Sequence, residues 1–306
     1  MAVVTVTPNP ALDLTYTVGE LRPGHAHRVT SVRRRPGGKG INVARVLHTL
    51  GVPATVTGLV GGPEGASLRT GLAELAIDDT LVTADLLTRR TVNIVDESAG
   101  TATLFNEPGP EVSGEQWARL RQRVVELAVD ADAVTICGSM PPGVAPSALT
   151  DLVGQISRTG TTVIVDTSGP ALRAAAHARP TILKPNADEL HDVTGIPDAR
   201  RAAAALQEET GAAVVASLGD AGLLAVTDDG TWTARLPQPL TGNPTGAGDS
   251  VVAALAAGVR AGLAWPEMLR RACALSAATV LAAAAGEYDA AAYARLRETV
   301  LLGGTT

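Results

Sequence analysis

The sequence predicts an α/β fold: a doubly wound, mostly parallel sheet flanked by helices, with a second, small sheet attached. Three observations predict it. Short, almost wholly apolar runs alternate with helix-period segments, and two turn-rich stretches interrupt that rhythm. Aromatic residues make up only 2% of a 306-residue chain that is 45% hydrophobic. Such a chain must pack on Ala, Val, Leu and Ile, which suits helices laid on a parallel sheet. Neither an internal repeat nor a low-complexity linker divides it, so residues 1–306 read as one domain.

Taken in order, Ala2 to Thr7 reads as a strand. The runs 54–60 (ATVTGLV), 133–137 (AVTIC), 162–166 (TVIVD), 181–183 (TIL) and 213–217 (AVVAS) have the near-continuous apolar pattern of strands covered on both faces. Between them, Trp117, Leu120, Val124 and Leu127 recur at helical spacing behind Ser113, with Gln116 three residues on in capping-box register. The segment 91–105 is a hairpin (TVNIV, DESAG, TATLF). With the Pro/Gly-punctuated stretch 11–36 it forms a small open sheet, a candidate lid whose strands fall within about 11–36 and 88–108. A second hairpin, LLAVT and TWTAR about Asp228-Asp229-Gly230, extends an edge of the main sheet. Ala-rich segments near 245–262, 266–285 and 289–301 complete the chain as helices.

Composition excludes several functions. A net charge of −6 and so few aromatic side chains argue against a nucleic-acid partner, which needs a basic surface or stacking platforms. Cys137 and Cys273 lie far apart and form neither a CxxC pair nor a zinc pattern with the five histidines, so both read as buried thiols. No apolar run reaches 18 residues and the N-terminus is a strand, so no membrane partner is expected and a cytoplasmic location is.

The sharpest local signal is Asn243-Pro244-Thr245-Gly246-Ala247-Gly248-Asp249-Ser250, running straight into VVAALAAGV. A glycine-bearing loop that opens a helix leaves backbone N–H groups unpaired where the helix dipole also favours negative charge, which makes an anion cradle. An Asp among those amides is expected to stay ionised and to accept a proton from a substrate hydroxyl that attacks phosphorus. The plainer alternative is a turn with Asp249 or Ser250 as N-cap. A second glycine-rich helix start occurs at Pro36-Gly37-Gly38-Lys39-Gly40-Ile41-Asn42, with Ile41, Ala44, Leu47 and Leu50 at helical spacing. It matches neither GxGxxG nor the P-loop. Lys39 there opposes the helix dipole unless an anion sits nearby, which points to a bound phosphate; an exposed lysine is the alternative.

Three further segments follow strands. Lys184-Pro185-Asn186-Ala187-Asp188-Glu189 places Asn186 and Glu189 in N-x-x-E register, an N-cap with its partner, or two side chains that organise hydrated Mg²⁺ beside nucleotide phosphates, or both. Ser217-Leu218-Gly219-Asp220-Ala221-Gly222 leaves its strand through glycines that let a ligand approach the backbone. Gly138-Ser139-Met140-Pro141-Pro142-Gly143 is a turn at a similar place. Arg89 and Arg90 open the first hairpin, and because neighbours on a strand face opposite ways, only one should point inward.

Together and in this order, these segments resemble the PfkB carbohydrate kinase family, which has the ribokinase-like fold. The resemblance covers nearly the whole chain. Gly37-Gly38-Lys39-Gly40-Ile41-Asn42-Val43-Ala44 is similar to the family's first signature and Thr245-Gly246-Ala247-Gly248-Asp249-Ser250 to its second. Thr7-Pro8-Asn9-Pro10-Ala11-Leu12-Asp13 and the KPN segment 184–186 resemble the branch of 1-phosphofructokinase, tagatose-6-phosphate kinase and the minor 6-phosphofructokinase. The resemblance implies ATP and Mg²⁺, with Asp249 as base and the amides of Gly246, Ala247 and Gly248 as anion hole. It implies that Asp13, Gly38, Lys39, Asn42 and Arg89 bind a sugar and its phosphate. Lys184 would contact ATP phosphates, Asn186 and Glu189 would govern Mg²⁺ through water, and Ser217, Gly219 and Gly222 would line the nucleotide site. A homodimer joined through the lid is implied too.

Lys39 with Arg89 argues for a phosphorylated acceptor, fructose 1-phosphate by resemblance, with tagatose 6-phosphate and fructose 6-phosphate as alternatives. Asn243-Pro244-Thr245 stands where 1-phosphofructokinases commonly show a Val-Gly pair, a departure that bears on the identity of the substrate rather than on the reaction type. The rivals from other classes are a sugar-phosphate binding protein, which has no need of Asp249, and a nucleoside kinase, which has no need of Lys39.

Overall fold

The computed structural model describes residues 1–282 and 284–305. Fifteen strands and ten helices follow one another as β1 (Ala2–Thr7), β2 (Ala11–Val18), β3 (Ser31–Gly37), α1 (Lys39–Thr49), β4 (Ala54–Val60), α2 (Gly62–Glu74), β5 (Asp78–Asp79), β6 (Val82–Thr83), β7 (Arg89–Asp96), β8 (Thr101–Asn106), α3 (Gly114–Ala128) and β9 (Ala131–Cys137). The chain continues as α4 (Ser147–Ser157), β10 (Thr162–Asp166), α5 (Gly169–His177), β11 (Ile182–Leu183), α6 (Ala187–Thr194), α7 (Ala199–Thr210), β12 (Ala213–Ser217), β13 (Leu223–Thr227), β14 (Gly230–Arg235), α8 (Ala247–Arg260), α9 (Trp265–Val280), α10 (Ala290–Thr299) and β15 (Leu301–Thr305). These counts cover the described residues.

The large sheet runs β15-β14-β13-β12-β11-β10-β9-β1-β4-β5, with β6 beside β4. It is parallel from β5 to β12 and antiparallel beyond. Its inner strands alternate between two helix layers, as the pleat demands. Val163 and Val165 of β10 pack with Leu120, Leu152, Leu172 and Leu206. Ile164, between them, packs with Val43, Leu47, Val251, Leu255 and Leu269 on the other side. Both cysteines are free and buried, as expected. No described helix is long and apolar enough to cross a membrane.

The two segments that break the alternation form the second sheet, of order β3-β2-β7-β8. The β7–β8 hairpin is antiparallel from Thr91↔Asn106 to Asp96↔Thr101, and β7 runs parallel to β2 from Ala11↔Arg89 onward. The capping box at Ser113 and Gln116 forms. At the C-terminus the expected helix over 289–301 ends at Thr299, and the last five described residues become a strand. Local pattern hides this strand, because LLGGT has two glycines; the open edge of β14 supplies its hydrogen bonds from Thr231↔Thr305 to Arg235↔Leu301. The edge expected at the second hairpin is therefore covered by β15.

Strand β1 lies between β4 and β9, so the chain leaves it to one side through α1 and returns to its other side with β9. Open α/β sheets form a crevice at such a reversal, at the carboxyl ends of the strands. Thr7, Cys137, Asp166 and Ser217 end β1, β9, β10 and β12 there, and Lys184 follows β11.

Candidate active site

Two clefts open at this end of the sheet. The first, of about 640 Å³, is lined by Thr7, Asn9, Lys39, Arg89, Ser139 and neighbouring loop residues. Arg89 is half-buried, and its guanidinium donates to the carbonyls of Asn9 and Glu107, each at 3.1 Å. Arg90 faces outward and pairs with Glu107 at 3.0 Å, so one arginine points inward, as expected. Asn9 is buried and held by bonds from its amide to Pro108 O and Ser139 Oγ.

Asp13, Gly38 and Asn42 lie outside that lining. Asp13 sits on β2 opposite Arg35 and Thr91, and a side-chain carbon at Gly37 would lie 2.2 Å from its carboxyl. Burial pushes this carboxyl up to about 6 against the pull of Thr91, Arg89, Arg45 and Arg35. Gly38 is the N-cap of α1 at φ 106°, a conformation open to glycine. It packs on Thr7, where a Cβ would come within 2.7 Å of the methyl group.

Lys39 opens α1, and the expected anion beside it exists within the chain. Its Nζ donates to Asp166 Oδ1 at 2.9 Å while the side chain stays 42% exposed. Burial alone would lower the lysine's pKa; the charges of Asp166 and then Asp249 outweigh it and hold the ammonium above its usual value. Asp166 is fully buried, which opposes its charge, yet Lys184 and Lys39 together keep its carboxyl below the ordinary range. A bound phosphate is therefore not required to explain a cation at this helix start.

At the head of α8, neither Asp249 nor Ser250 is the N-cap. That place belongs to Gly246 in the left-handed region at φ 87°, with Asp249 in the first turn. Asp249 Oδ2 accepts from Asn42 Nδ2 at 2.8 Å, and Ser250 Oγ meets Thr279 Oγ1 at 2.6 Å. The expectation that Asp249 stays ionised among amides needs correcting. It is 5% exposed, and burial, followed by the like charge of Asp166, pushes it up to about 7 against Lys39, Asn42 and Lys184. Ala247 N–H donates to Pro244 O at 3.1 Å, whereas the N–H groups of Gly246 and Gly248 make no such bond among the described residues. A side-chain carbon at Gly248 would lie 3.5 Å from Lys184 Nζ, so that ammonium stands beside the free amide.

The second cleft, of about 510 Å³, brings together Ser217, Gly219, Gly222, Ala247 and Gly248 over an apolar wall that includes Val280. Lys184, Asn186, Glu189, Gly246 and Asp249 lie outside its lining. Asn186 bridges to Ser217 at the strand ends. The capping box at α6 is present in full: Asn186 Oδ1 accepts from Glu189 N–H and Glu189 Oε2 from Asn186 N–H, both at 2.8 Å. Glu189 keeps a second carboxylate oxygen out of that box, so the pair suits a cation held through water. No group of three metal-ligating side chains exists among the described residues.

Three charged positions beside the site, Asp166, Arg45 and Glu287, escape sequence reasoning. Asp166 ends an apolar strand at the ligand-binding end of the sheet, and that position is its signal. Arg45 interrupts the apolar period of α1; its guanidinium donates to Ala285 O at 3.2 Å and to Glu287 Oε1 at 3.1 Å. Glu287 also pairs with Arg35 of β3 at 2.7 Å, which ties the small sheet, α1 and the loop after α9 together.

Residues 7–290 match the family model of the pfkB family carbohydrate kinases. The chain belongs to that family. It is 32% identical over 292 residues to a 1-phosphofructokinase of Vibrio cholerae, covering 94% of this chain and 92% of the relative. The crystal structure of phosphofructokinase-2 from Escherichia coli in complex with fructose-6-phosphate superposes with a TM-score of 0.90 at 31% identity, over 97% of this chain and 98% of the other. An Arabidopsis thaliana ribokinase complexed with ribose and ATP has the same fold, with a TM-score of 0.78 at 20% identity over 97% and 99% of the two chains. The kinase is thus a phosphotransferase that shares the fold of that ribokinase, and ATP is the donor that its family implies.

Proposed function

We propose that this kinase transfers the γ-phosphoryl group of ATP to fructose 1-phosphate, giving fructose 1,6-bisphosphate. The observation that carries the acceptor class is the placement of Lys39 and Arg89 on one cleft, where Lys39, although paired with Asp166, keeps its side chain 42% exposed and with Arg89 matches a substrate that already bears a phosphate. The acceptor's name rests on the likeness to 1-phosphofructokinase. A second reading, fructose 6-phosphate, is favoured by the structural likeness to phosphofructokinase-2 in complex with that sugar.

In this reading the first cleft holds the sugar phosphate and the second holds the nucleotide. Asp13 takes sugar hydroxyls. Asp249, once ionised, accepts the proton of the acceptor hydroxyl as its oxygen bonds to the γ-phosphorus and ADP departs. The free amides of Gly246 and Gly248 and the ammonium of Lys184 offset charge on the transferring phosphoryl group. Ala247, whose amide is engaged, shapes the turn. Asn186 and Glu189 would hold Mg²⁺ through water, and the ion would supply neutralisation of phosphate charge. The small sheet closes over the first cleft as a lid, and two copies of the chain meet through it.

Turnover with fructose 1-phosphate, fructose 6-phosphate and tagatose 6-phosphate tests the acceptor: the highest kcat/KM is expected for the first. Asp249→Asn tests the chemistry, with kcat expected to fall by about 10² to 10⁴-fold at unchanged thermal midpoint. Near-normal turnover in that variant removes Asp249 as base. An acceptor that raises the midpoint without stimulating ATP consumption would make the protein a binder.

A further inference from the structure

The carboxylate that ends β10 belongs to no signature of the chain, yet it touches both halves of the site. Asp166 is 1% exposed, its Oδ1 accepts from Lys39 Nζ at 2.9 Å, and its Oδ2 lies 3.5 Å from Lys184 Nζ. That Oδ2 is buried and makes no hydrogen bond among the described residues. The two lysines come from unlike places. Lys39 opens α1 and lines the first cleft; Lys184 follows β11 and stands beside Gly248, which lines the second. We infer that Asp166 is a positioning residue for phosphoryl transfer: one buried carboxylate that holds the acceptor-side Lys39 and the donor-side Lys184 in a fixed relation before either substrate binds.

Physical chemistry supports this assignment on two counts. A free lysine side chain loses much rotamer freedom when it is fixed, so a shared counter-ion orders both side chains in advance and leaves two preset ammonium groups for the phosphates. Two cations against one buried anion also leave a positive excess that favours the ionised form of Asp249, coupling the base to the pair. The groups facing Asp249 are Asp166 from β10, Lys39 and Asn42 from α1, and Lys184 after β11. The nearby Cys137 thiol of β9 is held protonated by burial and takes no part. Removal of the Asp166 charge takes away a like charge that keeps the Asp249 carboxyl up.

The inference rests on the proposed roles of Asp249 and of the two clefts, and the test separates them. Asp166→Asn keeps the size of the side chain and removes its charge. The expected result is a kcat lowered at least about tenfold, with the acidic limb of the pH profile of kcat/KM moved to lower pH. A merely structural role lowers the thermal midpoint and leaves kcat at the pH plateau unchanged, and that outcome overturns the inference. An unmoved limb with a raised Mg²⁺ requirement overturns it equally, because Asp166 then serves the metal. A wild-type profile without an acidic limb, or full turnover in Asp249→Asn, strikes the base assignment instead. Should Asp166→Asn not fold, Asp166→Ser and Lys39→Met carry the test. Loss of Lys39, which opposes Asp166 at the base, must move the limb upward, and an unmoved limb overturns the inference.

Discussion

Asp249 is pulled two ways, and the balance sets when it can work. Burial and the Asp166 charge raise its carboxyl to about 7, while Lys39, the Asn42 amide and Lys184 pull it down. An exposed aspartate ionises near about 3.9, so it would be fully charged throughout the neutral range. A base must be ionised to accept a proton, and a raised value means that the competent form is lost as pH falls. The acceptor kcat/KM is therefore expected to be level above about pH 7 and to drop about tenfold per unit below it. Initial rates from pH 5.5 to 9 at constant ionic strength check this. A profile flat down to about pH 5.5 would show either an exposed carboxylate or a different base. The upward shift has a use, because a base with a value near the working pH takes a proton more readily than an ordinary aspartate.

Helix starts are the elements that assemble this site, and each solves its backbone problem differently. Helix α6 uses a side-chain capping box, whereas α1 and α8 begin at glycines with no side-chain cap. At Gly246 the φ of 87° and the neighbouring chain both exclude a side chain, since a Cβ would lie 2.9 Å from Ala285 Cα. Gly246→Ala is therefore expected to lower stability by about 1–2 kcal/mol for the left-handed backbone, and to displace the free amides of the loop. Turnover should fall by more than about tenfold while KM for the acceptor at the other cleft changes little. Calorimetry with steady-state kinetics checks both, and an unchanged kcat would mean that the loop's amides do not meet the transferring group. These starts were legible in the sequence because glycine spacing and capping residues encode them locally. The Lys39 counter-ion was not, since Asp166 is 127 residues away. Nor was the ionisation of Asp249, which burial decides, or β15, which exists because another strand offers it an edge.

On the scale of the whole molecule, the large sheet and its two helix layers form a packed body, while the small sheet keeps much of its apolar surface in water. Leu104 and Phe105 of β8 are 53% and 55% exposed, and Val32 of β3 is 52% exposed. Neighbours on a strand face opposite ways, so β8 presents an apolar side chain on each face. A two-sided apolar edge strand on a four-stranded sheet is a template for association unless something covers it. The proposed dimer supplies that cover. It predicts a particle of twice the 31.1 kDa chain mass in sedimentation velocity at micromolar concentration. Leu104→Asp with Phe105→Asp should shift the particle to a monomer, since two carboxylates cannot be buried at such a contact without partners. The monomer should keep its thermal midpoint, because neither side chain belongs to a buried cluster of the main body. Its KM for the sugar phosphate should rise, because β7 of the same sheet carries Arg89 into the first cleft and loses a fixed position when the sheet is free. A wild-type monomer, or a monomeric variant with unaltered KM, would separate the small sheet's surface from the work of the site.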